Sequence, residues 1–265
     1  MKLSKGIHRY DRRFGGRRLN FLLDYKPESA NLILFIHGLA CTRNSFSNML
    51  TGRSFGASSL LLVDLIGFGD SGRPADFSYA MEDQAAIIEQ LLLELAVPRL
   101  HIVAHSMGAA VGLLFSPELF QRVETFANLE GNLIDADCGM LSRKIAAASF
   151  EQYRTGLFLE QREKYAGDQL LEFDKTSPVA VYRSAVSLVK WSDGGELLRK
   201  FTGLTCRKGY FWGERNCDLP VLGRLESVPR YRISGSGHGL MVDNPTEFRR
   251  TLAGFIYGKP AGRGD

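Results

Sequence analysis

The sequence predicts an α/β protein: a mostly parallel central sheet with an antiparallel hairpin at its N-terminal edge and a helical insertion late in the chain. Three observations predict it. Compact apolar runs such as Leu32 to Ile36, Leu60 to Val63 and Leu100 to Ala104 are too continuous for half-exposed strands and suit a sheet covered on both faces. Segments of helical period lie between such runs. The stretch from about 131 to 199 contains no run of this kind and is rich in helix formers and aromatics, including Phe150, Tyr153, Phe158, Tyr165 and Tyr182.

In chain order, Ile7 to Phe14 and Arg18 to Tyr25 read as short strands joined by Gly15-Gly16, a pair that permits the positive φ angles of a tight hairpin turn. The segment from Tyr79 to Leu95 places Ala80, Ile87, Leu91 and Leu95 at helical spacing, with Pro98 beyond its end. Strand patterning resumes at Val123 to Leu129, Gly209 to Trp212 and Arg230 to Ile233. A last helix from Pro245 to about Ile256 carries Phe248, Leu252, Phe255 and Ile256 on one face. The expected organisation is a core of residues 1–130 and 200–258, an insertion over 131–199 and a flexible tail at 259–265.

The 265 residues, 45% of them apolar, are enough for a packed core without disulfides or a structural metal, which excludes disordered, collagen-like and small stapled classes. The formal charge of +4 is unevenly placed: the first 18 residues carry +6, from Lys2, Lys5, Arg9, Arg12, Arg13, Arg17 and Arg18 against Asp11. Spread over short alternating strands, these charges fit a solvated hairpin face better than a nucleic-acid surface. Cys41, Cys138, Cys206 and Cys217 are scattered without metal-ligand spacing, and Asp135, Asp137 and Cys138 lack a neighbouring histidine and suit a helix start. No metal or other cofactor is expected. With no signal-like or membrane-length apolar segment, the expected setting is soluble and cytoplasmic; the oligomeric state is left open.

Chemistry concentrates in three places. The run Leu100-His-Ile-Val-Ala-His-Ser-Met-Gly is a buried strand leading straight into Ser106 and then a helix opened by small residues. A serine on such a sharp turn projects its hydroxyl above the sheet, and Ala104 and Gly108 are small where neighbouring backbone passes closely. Phe35-Ile36-His37-Gly38-Leu39 ends an earlier strand in a turn whose N–H groups can face a developing oxyanion. His238 stands in Ser236-Gly237-His238-Gly239, between the last strand and the last helix.

In this order the three motifs resemble the α/β-hydrolase superfamily, as does the loop Asp64-Leu65-Ile66-Gly67-Phe68-Gly69-Asp70-Ser71, similar to D-x-x-G-x-G-x-S. The resemblance runs from about residue 7 to 257, the insertion excepted. It implies Ser106 as nucleophile, His238 as general base and later general acid, and the main-chain N–H groups of Leu39 and Met107 as the oxyanion hole. His37, Gly38 and His105 would line the site. Many members carry the triad acid in a G-x-x-D arrangement, but here Gly213-Glu214-Arg215-Asn216 places an amide at that point. An amide can orient an imidazole without offsetting its positive charge. Two carboxylates could replace it: Glu130, concluding a buried strand just before Gly131, or Asp218 in a longer loop. Glu130 is favoured because it stands at the carboxyl edge of the sheet, where active sites of open α/β folds collect; its alternative role is to anchor the insertion through backbone N–H groups.

The resemblance implies a serine hydrolase cleaving a small-molecule carboxylic ester, of small to medium acyl chain or a lactone. A thioesterase, amidase or carbon–carbon bond hydrolase would use the same residues. A dehalogenase or epoxide hydrolase would carry Asp where Ser106 stands. The different-class alternative is a non-catalytic ligand-binding or receptor protein, motivated by Asn216.

Overall fold

The computed structural model describes residues 4–14, 17–26, 28–51, 54–56, 58–139 and 141–258. The Gly15-Gly16 turn and the tail 259–265 lie outside them. Eight strands among the described residues form one sheet: β1 (Gly6–Phe14), β2 (Arg17–Lys26), β3 (Asn31–Ile36), β4 (Ser59–Asp64), β5 (Arg99–His105), β6 (Val123–Leu129), β7 (Arg207–Gly213) and β8 (Arg230–Ile233), in the order β1-β2-β4-β3-β5-β6-β7-β8. The pair β1–β2 is antiparallel, β2 joins β4 antiparallel, and every pairing from β4 to β8 is parallel.

The parallel strands β3, β4 and β5 are buried on both faces, as their unbroken apolar runs require, whereas β8 at the edge is largely exposed. Along β3, Leu32, Leu34 and Ile36 enter one core, while Ile33 and Phe35 enter the other, the alternation of a pleated strand. On the first face lie α1 (Met81–Glu94) and α2 (Met107–Leu113), followed by the short α3 (Pro117–Phe120). The helix expected from Tyr79 begins two residues later. Tyr79 has φ 57°, outside the helical region, and its buried ring sends the hydroxyl to the carbonyl of Pro74 at 2.7 Å.

Between β6 and β7 the chain is helical: α4 (Ser142–Ala147), α5 (Phe150–Gln152), a π-helical turn at Tyr153–Leu157, α6 (Phe158–Arg162), α7 (Gly167–Phe173), α8 (Pro178–Asp193) and α9 (Glu196–Gly203). The boundary expected at 199 falls inside α9, whose Phe201 packs edge-on against Phe126 of β6. The long helix α8 also belongs partly to the core, since the Ser184 hydroxyl donates to the carbonyl of Tyr79 at 3.0 Å and Ser187 accepts the N–H of Met81 at 3.1 Å. Aromatic contacts hold the rest to it: Phe150 and Tyr153 pack on Tyr182 with ring centroids 5.4 and 5.9 Å apart. After β8 come α10 (Leu240–Asp243) and α11 (Pro245–Tyr257); α11 buries Phe248, Leu252, Phe255 and Ile256 on the second face. No helix among the described residues is long and apolar enough to cross a membrane.

Strand register places the site. Ile36 pairs with Ala104, Ala104 with Asn128 and Asn128 with Tyr210, so the carboxyl ends of β3, β5, β6 and β7 finish nearly level. Gly38, Ser106, Glu130 and Gly213 all follow within three residues of that line.

Candidate active site

Ser106 follows β5 with φ 52° and ψ −123°, a conformation that costs a non-glycine residue energy and turns the chain abruptly into α2. Its N–H donates to the carbonyl of Leu129 at 3.0 Å, which ties the turn to β6. Helix α2 passes so near the end of β3 that a Cβ at Gly108 would stand 2.6 Å from the carbonyl oxygens of Ile36 and His37. The turn after β3 is as close: a Cβ at Gly38 would come within 3.0 Å of the Ser106 Cβ and of the His105 Nδ1. Leu39 continues that turn and Met107 is the first residue of α2.

Glu130 continues β6 by one residue, its N–H donating to the carbonyl of Phe211 at 2.9 Å, and then takes φ 41°. That left-handed conformation turns the side chain out of the strand and toward the loop after β8. The Nδ1 of His238 lies 2.8 Å from Glu130 Oε2, with the carboxylate almost fully buried and the imidazole about half exposed. A carboxylate only accepts, so Nδ1 carries a proton, and in the neutral ring Nε2 keeps its lone pair. The other Glu130 oxygen accepts the N–H of Gly213 at 2.7 Å, and the Asn216 amide nitrogen lies 3.0 and 2.8 Å from the two oxygens. The backbone partner of Glu130 thus belongs to the end of β7, not to the insertion. Asp218 is exposed beyond the turn that holds Asn216, and the carboxylate bonded to His238 is that of Glu130.

The remaining histidines brace these groups. His105 Nε2 donates to the carbonyl of His238 at 2.9 Å, and the two rings pack with centroids 4.7 Å apart. Burial, and then the neighbouring His238, push the His105 imidazole well below its usual basicity. Its Nδ1, toward Gly38, has no hydrogen-bond partner among the described residues. His37 is fully buried beneath the turn it precedes. Its Nδ1 donates to the carbonyl of Gly38 at 2.8 Å and its Nε2 accepts the N–H of Leu65 at 3.0 Å, while burial outweighs Asp64 in lowering its basicity.

Two networks fasten the surroundings. Asp64 accepts the N–H of Arg43 at 2.7 Å, the N–H of Asp70 at 3.0 Å and the Arg43 guanidinium, and Ser71 donates to the Asp64 carbonyl at 2.6 Å. The D-x-x-G-x-G-x-S loop is therefore a brace. Glu172 of α7 accepts from the Thr42 hydroxyl, from the Asn44 amide at 2.9 Å and from Lys175 at 2.9 Å, clamping the insertion to the loop that carries Leu39. Burial opposes ionisation of this carboxyl, but those hydrogen bonds outweigh it and hold Glu172 below the ordinary carboxylate range. Sequence reading missed this clamp and the contact of Asn216 with Glu130. An amide at the place of an expected acid was the one signal for the latter. Asp137, one of the residues weighed for a metal, instead accepts the N–H groups of Leu133 and Ile134 at 2.8 and 3.0 Å.

A sequence model of the alpha/beta hydrolase fold matches residues 31–193, which include the Gly38 turn, the Ser106 elbow and Glu130. The chain belongs to the alpha/beta hydrolase fold family. Among curated members, a probable lysophospholipase, BODYGUARD 3 of Arabidopsis thaliana, is 40% identical over 86 residues, 31% of this chain and 17% of that protein. A haloalkane dehalogenase of Agrobacterium fabrum is 28% identical over 136 residues, 50% of this chain and 44% of that protein. The match thus spans less than half of either relative. Among solved members, the N-acyl homoserine lactonase AidH, complexed with N-butanoyl homoserine, superposes with a TM-score of 0.74 at 14% identity, covering 97% of this chain and 99% of that one. At that identity the likeness is one of fold.

Proposed function

We propose that the chain is a serine hydrolase of carboxylic esters, acting on a small-molecule ester of small to medium acyl chain or on a lactone. The observation that carries this reading is the 2.8 Å hydrogen bond from His238 Nδ1 to the buried Glu130 carboxylate, on the same sheet edge as a strained Ser106 and the Gly38 turn. In this reading Ser106 Oγ attacks the ester carbonyl while His238 Nε2 takes its proton. Glu130 holds the ring in the Nδ1–H tautomer and offsets the imidazolium charge. The N–H groups of Leu39 and Met107 stabilise the oxyanion, each worth on the order of 3 kcal/mol of barrier. Collapse expels the alcohol with the proton from His238, leaving an acyl group on Ser106. Water, deprotonated by the same nitrogen, releases the acid and restores the serine.

A serine at this position supports acyl transfer over the alkyl-enzyme chemistry of a carboxylate nucleophile. The non-catalytic alternative rested on the amide at Asn216, and the contact of Glu130 with His238 supports the catalytic reading over it. The helices between β6 and β7 serve, in this reading, as a cap over Ser106 whose aromatic side chains shape the acyl site.

The test is a series of p-nitrophenyl esters from acetate to decanoate, with rapid quenching and peptide mass spectrometry. A burst of p-nitrophenolate, an acyl adduct on Ser106 and loss of both in Ser106→Ala are expected. Ester turnover that survives Ser106→Ala, or the absence of both turnover and adduct across the series, overturns the reading.

A further inference from the structure

The end of β7 is built to hold something. Gly213 closes the strand, and a Cβ there would run into the carbonyl oxygens of Ser236 and Gly237, so this backbone packs directly on the histidine loop. The single turn Glu214–Asn216 is pinned to the same loop from both sides: Arg215 N–H donates to the Ser236 carbonyl at 3.0 Å, and Glu214 accepts the N–H of Gly235 at 2.9 Å. This platform directs the Asn216 amide at Glu130.

An ionised carboxylate has about four lone-pair sites. Glu130 fills them in two pairs: Oε1 faces Gly213 N–H and the Asn216 amide, and Oε2 faces the Asn216 amide and His238 Nδ1. The orientation of the amide is fixed by the same logic, because its oxygen turned toward the carboxylate would set lone pair against lone pair. Three donors on one buried acid leave it no freedom to rotate away from the imidazole.

We infer that Asn216 is a positioning residue: it occupies the place of an acid in order to orient the acid that has moved to the end of β6. The inference rests on the hydrolase reading above. It has a counter-intuitive consequence, namely that an aspartate introduced at position 216 impairs the site. Its carboxylate oxygens, about 3 Å from those of Glu130, would let the two carboxyls hold one negative charge between them and resist a second. With its proton, the new carboxyl can donate to Glu130 as the amide does. Once that proton leaves, repulsion drives Glu130 from its place. Other titratable groups facing this cluster are His238 from the loop after β8, His105 of β5 against His238, Tyr210 of β7 and Asp137 of the turn at 135–138.

The experiment compares wild type, Asn216→Asp and Asn216→Leu by the pH profile of kcat/KM for p-nitrophenyl butyrate and by the far-downfield proton resonance of His238 Nδ1. Asn216→Asp is expected to approach wild-type activity near about pH 5.5 and to fall about tenfold relative to it by about pH 8.5, with the resonance shifted over the same range. Asn216→Leu is expected to lose about tenfold to a hundredfold in kcat with little change in KM, the pattern of a misoriented base. A wild-type profile and resonance in both variants overturns the inference. If Asn216→Leu does not fold, the near-isosteric Asn216→Asp decides alone. An inactive wild type would instead strike the hydrolase reading, and the resonance would still test the contact.

Discussion

The end of β5 and the paired ends of β6 and β7 lie side by side along one edge of the sheet and are made in opposite ways. At β5, everything needed lies within a few consecutive residues: a buried strand, a residue at φ 52°, and a helix whose Gly108 admits the end of β3. At β6 and β7, one carboxylate is held by three separate segments, with Glu130 at the end of β6, Gly213 and Asn216 at the end of β7 and His238 after β8. In the proposed mechanism the nucleophile is therefore placed by local backbone strain and the acid by contacts that converge from distant parts of the chain.

That contrast sets the order of expected effects. In the proposed mechanism Ser106→Ala removes the attacking atom and should abolish acylation, a loss of roughly a millionfold in kcat when read by ester turnover. Glu130→Gln leaves the elbow intact and should cost about a thousandfold to ten-thousandfold in kcat, as for an imidazole held without a counter-charge. A comparable loss from Asp218→Asn would break the comparison. Gly108→Ala tests the local side: its Cβ meets two backbone oxygens at 2.6 Å, so urea unfolding should show about 1–3 kcal/mol of destabilisation. Gly156, in the π-helical turn, has open space where a methyl group would stand and should tolerate the same change without that penalty.

A last effect, seen only as pH falls, lies on β5 away from the site. The His101 imidazole and the Thr125 hydroxyl share a hydrogen bond of 3.0 Å, and burial, then Arg207 and Arg99, pull the histidine's basicity down to about 4. The folded state therefore holds fewer protons than the unfolded chain between about pH 6.5 and that value. Stability from this histidine is full above about pH 6.5 and is lost as pH falls through the window. Thermal melts should show Tm dropping by several degrees over that range, and His101→Gln should flatten the slope.

Legibility in the sequence follows the same division. The strands β3, β4 and β5 announced themselves because double-sided burial demands unbroken apolar runs, and the elbow did so because strand, serine and small residues are adjacent. The exact start of α1 was hidden, since Ala80 fits the apolar face while the φ of 57° at Tyr79 keeps the helix from starting there. Short elements such as Leu240–Asp243 and the three-ten turn Arg43–Met49 carry too few residues for a periodic signal. Glu130 and Asp218 could be ranked by their position at the sheet edge, but the direction of the turn at 214–216 depends on its ties to the distant loop around Ser236. Thr42 and Glu172, 130 residues apart, gave no sequence sign of meeting.

The most direct test of the central claim, that the working acid stands at the end of β6, is the rate of labelling by a fluorophosphonate probe in Glu130→Gln and Asp218→Asn side by side. Labelling needs only the activated serine, so it is independent of which ester the chain prefers. The expected rate is reduced about a thousandfold in Glu130→Gln and unchanged within about twofold in Asp218→Asn, with labelling lost altogether in Ser106→Ala. Wild-type labelling in Glu130→Gln, or a large loss in Asp218→Asn, would contradict it.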